Sequence, residues 1–322
     1  MKKSNRVLLL LEIAGAIAAA IPRAAPAQSV DDLVFIHHSV GQDWLDNGLR
    51  QALLDKTYID EVNEITYGTT LSPDTGRPES LGSTPGDNTD MWHWILWFND
   101  YLEGIRAHDC DNGANRIVMF KSCYPNSDLF EDGTEPGDPF RDWQVLVDYM
   151  ALYRHPGGSG NTYTHDSYTY WPLEDIFAAN PDVLFIPITS PSRIPPETCS
   201  DWADRCRVFH NWLKNTWLPA YNAAHPNLRN VAVFDFFDVL AYANDFTGTE
   251  HYTPMGGSPE GDYPVRNMTK TQYRTGDSHP NAQADQDATA AFATASSSFL
   301  DAAHDAWHGV STAAPLPWSL YP

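Results

Sequence analysis

The stretch that most constrains the fold is the apolar run Leu-Val-Phe-Ile at residues 33–36, which changes at once to the polar sequence His37, His38, Ser39. A short buried run of this kind is typical of a central strand in a parallel sheet. Apolar residues then recur with a helical period over residues 43–54, so Ser39 lies on a turn from a strand to a helix. Open α/β sheets bind their ligands at the carboxyl ends of such strands.

Ser39 has two interpretations at this turn. The dipole of the following helix suits a nucleophile whose oxyanion is held by backbone N–H groups. Serine is also a common helix cap, and capping alone would account for a serine at this position. The stretch by itself leaves both interpretations open.

Residues 1–27 have the pattern of a secretory signal. Basic residues come first, an apolar stretch follows at residues 7–21, and small residues at 25–27 form a cleavage site. The apolar stretch contains Glu12 and is short for a membrane span. We therefore predict cleavage before Gln28 and a secreted or periplasmic protein.

The chain is acidic, with a formal net charge of −22 at pH 7. A surface of this sign repels nucleic-acid phosphates and anionic lipids, so we predict neither nucleic acid nor a membrane as a partner. The length allows one large α/β domain or two small ones. Because no change in composition marks a linker, we predict one domain at residues 28–310 and a tail at residues 311–322.

Four cysteines in an exported chain predict two disulfides. Of the three possible connectivities we favour the pairs closest in sequence, Cys110 with Cys123 and Cys199 with Cys206. A zinc site is the weaker alternative, because neither pair has Cys-x-x-Cys spacing and no nearby histidines complete a set of four ligands.

Four further apolar runs, at residues 62–67, 116–120, 182–188 and 231–236, alternate with helical patterns. This alternation predicts a doubly wound parallel sheet. The expected fold is therefore a three-layer α/β/α, flavodoxin-like arrangement with five strands.

Two loops are long or unusual in composition. Residues 68–87 are rich in Gly, Pro, Ser and Asp, and are long enough to be an insertion that faces a substrate. The acidic loop at residues 131–138 could bind calcium, but it lacks the regular alternation of a ligand loop. We interpret it as a solvated acidic loop.

The sequence near the C-terminus places Asp277 two residues before His279, ahead of an Ala-rich helix predicted from Ala282 to Ala303. If this segment folds over the end of the first strand, His279 can deprotonate Ser39 while Asp277 orients the imidazole. The alternative is a surface turn in which Asp277 or Asn281 caps the helix.

Taken together, these segments resemble the SGNH, or GDSL-like, hydrolase superfamily. That family has a serine after the first strand, a glycine after the second, an asparagine after the third, and an Asp-and-His block before the last helix. The matching residues occur in the same order over nearly all of the mature chain, and they are Ser39, Gly86, Asn126, Asp277 and His279.

The match departs from the family pattern in its first, second and last blocks. His37-His38-Ser39 replaces the usual Gly-Asp-Ser, and Asp277 precedes His279 by two residues rather than three, as in the acetyltransferase-like branch that acts on exopolysaccharides. Gly68 is an alternative to Gly86 because it follows the second predicted strand directly.

The resemblance implies a Ser39, His279, Asp277 triad and an oxyanion hole formed by the backbone N–H groups of Ser39 and Gly86 with the side chain of Asn126. We expect His38 to brace the turn as a neutral ring rather than to act as a second base.

The implied chemistry is acyl transfer through a covalent ester on Ser39, without a metal or organic cofactor. The expected activity is that of an esterase acting on a small-molecule or polysaccharide ester, most simply an O-acetyl group on carbohydrate. Two alternatives are a silent glycan-binding protein of the same fold and a polysaccharide O-acetyltransferase. A metal site is a further alternative, formed by Asp277 with the histidines His37, His38, His251 and His279.

Aromatic residues next to the loops around the expected site could stack on sugar rings, although most tryptophans in proteins are core residues. The candidates are Trp92, Trp94, Trp97, Tyr163, Tyr168, Tyr170 and Trp171.

Overall fold

The computed structural model describes residues 30–111, 113–195, 197–244, 251–252, 263–296 and 298–309. The predicted signal segment, the predicted C-terminal tail and the side chain of His251 lie outside this part of the chain.

The described residues contain a main sheet and two small antiparallel sheets of two strands each. The strands are β1 (Leu33–Ile36), β2 (Val62–Ile65), β3 (Ile117–Lys121), β4 (Tyr163–His165), β5 (Tyr168–Tyr170), β6 (Leu184–Ile188), β7 (His251–Tyr252) and β8 (Tyr263–Pro264). The α-helices are α1 (Ser39–Trp44), α2 (Arg50–Leu54), α3 (His93–Asp100), α4 (Leu102–Ala107), α5 (Leu146–Tyr153), α6 (Leu173–Ala179), α7 (Ser200–Trp212), α8 (Leu218–Ala224), α9 (Phe236–Leu240), α10 (Ala282–Thr289) and α11 (Phe299–Trp307).

Shorter helical segments join or extend these elements. The π-helical segments are Leu45–Leu49, Leu213–Trp217 and Ala290–Thr294, and the 3₁₀ helices are Pro85–Asp87, Tyr124–Ser127 and Thr271–Tyr273.

The main sheet is parallel and has the strand order β2-β1-β3-β6. The prediction of an α/β fold with a parallel sheet is therefore confirmed. The chain runs from β1 outward to β2 on one side, then returns to β3 on the other side. The order of the strands thus reverses between β1 and β3, and their carboxyl ends form the switch point at which open α/β sheets bind ligands.

The fifth predicted strand, at residues 231–236, is not a strand in the structure. The segment runs alongside β6 but makes only two isolated parallel bridges, Phe185 with Val231 and Ile188 with Phe234. Between them lies Pro187, which has no N–H to donate toward this segment. The sheet is therefore assigned four strands, and the predicted five-stranded sheet is not confirmed.

Alternate residues along the strands belong to two separate hydrophobic clusters. Val34 and Ile36 of β1 belong to one cluster, which includes residues of α3 through α7. Leu33 and Phe35 belong to the other, which includes residues of α1, α2, α9, α10 and α11. Both faces of β1 are therefore buried, which explains why its sequence is a continuous apolar run rather than an alternating one.

The four cysteines, all within the described part of the chain, form no disulfide, so both predicted pairs are wrong. Cys199 and Cys206 lie seven residues apart along the start of α7, a rise of about 10 Å, which exceeds the span of about 7 Å that a disulfide bridges. The thiol of Cys110 contacts Asp32 before β1, whereas that of Cys123 contacts Ser39 after β1. The members of the second pair therefore lie at opposite ends of this strand.

Over the residues that the structure describes, we find no helix with both the length and the apolar character needed to cross a membrane.

Candidate active site

Ser39 is the first residue of α1, and His38 occupies the N-cap position without a side-chain capping bond. The hydroxyl of Ser39 faces His279, and the capping interpretation of Ser39 is not what the structure shows. Backbone N–H groups in the first turn of a helix have no acceptor within the helix. The N–H of Ser39 bonds instead to the hydroxyl of Tyr67, a partner that a ligand oxygen would have to replace. The strand therefore presents both the hydroxyl and the N–H of Ser39 at its carboxyl end.

Ser39, His279 and Asp277 form a continuous hydrogen-bonded chain. Ser39 Oγ lies 2.8 Å from His279 Nε2, and His279 Nδ1 lies 3.0 Å from Asp277 Oδ1. The same carboxylate oxygen accepts the backbone N–H of His279 at 2.9 Å, and these bonds hold the pKa of Asp277 below its usual value. An ionised Asp277 fixes the proton on Nδ1, which leaves Nε2 to accept the proton of Ser39.

The segment that carries His279 is separate from the helix cap. Asn281 caps α10 by accepting the N–H of Ala284 at 3.1 Å. The sequence left open whether this segment caps the helix or orients the imidazole. In the structure Asn281 caps the helix and Asp277 contacts the imidazole of His279.

Ser278 anchors the same segment from behind. Its hydroxyl is buried, donates to the carboxylate of Glu197 and accepts the N–H of Ile194 at 3.2 Å. Since Ser278 is the residue between Asp277 and His279, these bonds fix the backbone that positions both groups.

We expect Ser278→Ala to lower kcat about tenfold or more with little change in KM, because displacement of a catalytic group by about 1 Å can cost on the order of 10²-fold in rate. Steady-state kinetics on a chromogenic ester measures both constants. The matched control is Ser159→Ala, which removes a serine-to-carboxylate bond to Asp175 on another loop. Equal kinetics in the two variants would contradict the positioning role.

His37 supports the turn from inside the fold. Its ring is fully buried, with Nδ1 directed at the carbonyl of His38 at 2.9 Å and Nε2 at the carboxylate of Glu64 at 3.0 Å. Both partners are hydrogen-bond acceptors, so each ring nitrogen of His37 lies against an oxygen. The hydrogen bond from His37, together with Arg50, lowers the pKa of Glu64 despite its burial. This buried pair braces the Ser39 turn from inside the fold.

Gly41 makes room for that ring. A Cβ at this position would lie 2.4 Å from Cβ of His37. The spacing of His37 and Gly41 thus reflects close packing of the ring against the first turn of α1.

His38 links the Ser39 turn to the loop that carries Gly86. Its Nε2 donates to the carbonyl of Gly86 at 2.9 Å, and its ring stacks on Tyr67 at 3.9 Å. Burial lowers the pKa of His38, which favours the neutral ring. These contacts agree with a bracing role, and the base nearest Ser39 is His279.

Neither glycine has its N–H directed at Ser39. The N–H of Gly86 donates to Thr69 O at 3.1 Å, and that of Gly68 donates to Asp87 at 2.8 Å. A Cβ on Gly86 would lie 2.0 Å from Thr66 O, so a glycine is required there for close backbone packing. The expected oxyanion donor at Gly86 is therefore already paired within the loop.

Asn126 is buried in the 3₁₀ helix that follows Cys123, with its side chain held by the loop after Gly86. Its Oδ1 accepts the N–H of Met91 at 2.8 Å, and its Nδ2 donates one hydrogen to Asp90 at 2.7 Å. An amide nitrogen carries two hydrogens, so Asn126 retains a second one for a ligand.

Three residues next to the triad were not selected from the sequence. Cys123 Sγ lies 3.8 Å from Ser39 Oγ, and the ring of Tyr124 packs edge-on against His279 at 5.0 Å. Burial and the Cys123 thiol raise the pKa of Tyr67, whereas hydrogen bonds from Ser39 lower it. The Tyr67 hydroxyl therefore lies beside both Cys123 and Ser39. The signal for all three was their position directly after β2 or β3.

A cavity of about 480 Å³ opens beside Asn126. Its lining combines aromatic rings with carboxylate and amide groups, namely Trp92, Phe130, Trp143 and Tyr149 with Asp90, Asp142 and Gln144. Trp143 is 50% exposed, so its ring can present a face to a ligand. In contrast, Trp94 and Trp97 are buried in the core and cannot stack on a sugar.

His93 supports the residue that holds the side chain of Asn126. Its Nδ1 accepts the N–H of Asp90, the residue that holds the amide of Asn126, at 2.9 Å. Burial lowers the pKa of His93 to about 4, with Asp90 and Asp142 acting in the opposite direction. Protonation of this ring would break the bond to Asp90.

A lowered histidine pKa means that the unfolded chain binds more protons than the folded protein. We therefore expect stability to be intact above about pH 6.5, the unfolded value, and to fall by up to about 1.4 kcal/mol per pH unit as the pH drops toward the folded pKa. His93→Gln keeps an acceptor for Asp90 and should reduce this slope. Urea unfolding between pH 7 and pH 4.5 measures it, and an unchanged slope in the variant would exclude His93 as its source.

Of the histidines proposed as an alternative metal site, His37, His38 and His279 have described side chains, and these three do not converge with other ligand groups. In the part of the chain that the structure describes, the sets of His, Cys, Asp and Glu side chains with converging ligand atoms are Asp31 with His304 and His308, and Asp32 with Glu61 and Cys110. Neither set contains His37, His38 or His279.

No protein-family model matches the chain, and no curated protein matches it either. The functional argument therefore depends on the arrangement of the side chains around Ser39.

That arrangement has the parts required for nucleophilic catalysis. It contains a hydroxyl, a base within hydrogen-bonding distance of it, and a carboxylate that orients the base. Such a set can form and hydrolyse an acyl ester.

Proposed function

We propose that this protein is a secreted serine esterase of the SGNH, or GDSL-like, hydrolase superfamily that removes O-acetyl groups from carbohydrate. The observation that carries the proposal is the hydrogen-bonded chain from Ser39 through His279 to Asp277. The complete three-layer, five-stranded form of the fold belongs to the same proposal. It is supported by the two bridges that the segment at residues 231–234 makes with β6.

In the first step, Ser39 Oγ attacks the ester carbonyl carbon and its proton passes to His279 Nε2. The resulting imidazolium lies against the ionised carboxylate of Asp277, which stabilises the new positive charge. The same proton then moves to the leaving alcohol as the ester C–O bond breaks, leaving an acyl group on Ser39.

The negative charge on the carbonyl oxygen needs hydrogen-bond donors. The candidate donors are the second Nδ2 hydrogen of Asn126 and the backbone N–H of Ser39. The N–H of Ser39 bonds to the hydroxyl of Tyr67, which a bound carbonyl oxygen would have to replace, whereas the N–H of Gly86 is paired with Thr69 inside its loop. Each oxyanion donor contributes on the order of 3 kcal/mol to lowering the barrier.

In the second step, His279 removes a proton from water, which attacks the acyl carbon. The tetrahedral intermediate collapses, the acid departs, and the proton returns to Ser39 Oγ. His279 therefore acts as the base in both steps, first toward Ser39 and then toward water.

The cavity beside Asn126 supports a carbohydrate ester as substrate. Aromatic faces pack against the C–H faces of sugar rings, and carboxylate and amide groups accept hydrogen bonds from sugar hydroxyls. This cavity combines both kinds of group, and Asn126 belongs to it as well as to the proposed oxyanion site. The same cavity also favours a second candidate function, a glycan-binding protein without activity, and transfer of the acetyl group to a second sugar is the third.

The first experiment separates catalysis from binding. A fluorophosphonate should label wild-type protein at Ser39 alone, as located by peptide mass spectrometry, and should abolish hydrolysis of p-nitrophenyl acetate. Labelling at Ser122 or Ser278 instead would show that the nucleophile is that serine and not Ser39. Binding of an acetylated glycan with neither labelling nor hydrolysis would favour the silent binding protein.

The second experiment tests the substrate class. Trp143→Ala should raise KM for an acetylated oligosaccharide about tenfold while leaving hydrolysis of p-nitrophenyl acetate nearly unchanged, since an aromatic platform contributes on the order of 1 kcal/mol. Trp171→Ala is the matched control, because this tryptophan is similarly exposed and lies outside the cavity lining. Equal KM values for Trp143→Ala and wild type would argue against this cavity as the sugar site.

A further inference from the structure

A cluster at the other end of the sheet carries chemistry that the proposed hydrolase does not use. Asp31 precedes β1 by two residues, and it meets His304 and His308 of the C-terminal helical segment. The two histidines are four residues apart, so they share one face of the helix. The cluster therefore joins the first strand to the last described helix.

One carboxylate oxygen is the centre of this cluster. Asp31 Oδ2 lies 3.0 Å from His304 Nε2 and 2.7 Å from His308 Nε2, and the three atoms all lie within 4.8 Å of one another. Ligand atoms bound to one tetrahedral zinc ion are about 3.3 Å apart, given zinc–ligand bonds of about 2.0–2.1 Å. Small outward shifts of the two rings would bring all three atoms to bonding distance from a common point.

The surroundings hold the three groups in place. Asp31 and His304 are buried, while the side chain of His308 is 29% exposed and gives access from solvent. The His304 ring stacks on Tyr58 at 3.7 Å, and the His308 ring packs on Trp307 at 4.4 Å. The rings are thus oriented before any ligand binds.

Arg116 supports the carboxylate from the other side. Its guanidinium lies 2.5 Å from Asp31 Oδ1 and also lies over the ring of Trp307 at 5.1 Å. Hydrogen bonding of the second oxygen is common for carboxylates that bind metals, because it fixes the direction of the ligating oxygen. Oδ2 is consequently the oxygen that faces the two imidazoles.

We propose that Asp31, His304 and His308 bind one zinc ion, with water completing the coordination. Two imidazole nitrogens and one carboxylate oxygen form a donor set that zinc favours. Without metal, each Nε2–H donates to Oδ2. On binding, each neutral ring shifts its proton from Nε2 to Nδ1 by exchange with solvent, and Nε2 then bonds to the ion. The bound ion ties α11 to the start of β1, so it stabilises the fold and lies apart from the Ser39 site.

Binding is tested on the full chain after treatment with a chelator. Isothermal titration with ZnCl₂ should give one site per chain, thermal unfolding should shift upward by several degrees, and Co²⁺ should give the visible absorption of a tetrahedral complex. Absence of binding, or an octahedral cobalt spectrum with no thermal shift, overturns the proposal.

Variants locate the site without relying on activity. His308→Gln changes a partly exposed residue, so it should fold, and it should lose the thermal shift and weaken zinc binding about tenfold or more. His225→Gln, which changes a histidine at the end of α8, should bind zinc like wild type. Zinc binding that survives His308→Gln but is lost in Cys110→Ser would place the ion at Asp32, Glu61 and Cys110 and would refute the proposal.

Discussion

Replacing Ser39 by alanine, or His279 by asparagine, is expected to lower kcat/KM for ester hydrolysis by a factor of at least about 10⁴, as loss of a triad member does. The reason is the 2.8 Å contact between Ser39 Oγ and His279 Nε2, which places the proposed nucleophile and its proposed base in one unit. Because they act as one unit, the double variant should be little worse than either single variant. Hydrolysis of p-nitrophenyl acetate by protein purified in parallel measures the effect.

His38→Asn is the matched control for this experiment. His38 is also adjacent to Ser39, but its Nε2 donates to Gly86 O, and asparagine can keep one such hydrogen bond. The variant should therefore retain much more activity than His279→Asn. Equal and severe losses in both, with unchanged circular dichroism, would show that the base has been assigned to the wrong histidine.

Gly86→Ala is expected to destabilise the protein by about 3 kcal/mol and to reduce activity by one to two orders of magnitude. The added Cβ would lie 2.0 Å from Thr66 O, a backbone atom that cannot move aside without displacing the end of β2. The displacement would also disturb the hydrogen bond between His38 and Gly86 and hence the Ser39 turn. Urea unfolding and steady-state kinetics measure the two effects.

Gly104→Ala provides the comparison for this glycine. Gly104 lies within α4, and a Cβ there would have its nearest neighbour at 3.6 Å, an ordinary contact. Alanine is the better helix former by up to about 1 kcal/mol, so this variant should be as stable as wild type or slightly more stable. A Gly86→Ala protein as stable as Gly104→Ala would contradict the close packing at residue 86.

The sequence by itself determined the strand-to-helix turn at Ser39 and the parallel α/β character of the fold. Both depend on local patterns, because a strand buried on two faces needs a continuous apolar run and the following helix needs its own period. The pairing of Ser39 with His279 could be predicted only on the assumption that the segment carrying His279 folds over the end of the first strand. The sequence spacing of Asp277 and His279 allowed their contact but left open a surface turn in which Asp277 caps the helix.

Only the tertiary structure decided the matters that depend on segments far apart in the chain. Thr69 occupies the N–H of Gly86, Cys123 lies beside Ser39 rather than in a disulfide, and Pro187 interrupts pairing with the fifth predicted strand. The contact of Asp31 with His304, 273 residues later, is of the same kind. Local periodicity specifies which face of an element is buried, whereas the partner of each polar group is set by packing between elements, and that packing fixes the chemistry at both ends of the sheet.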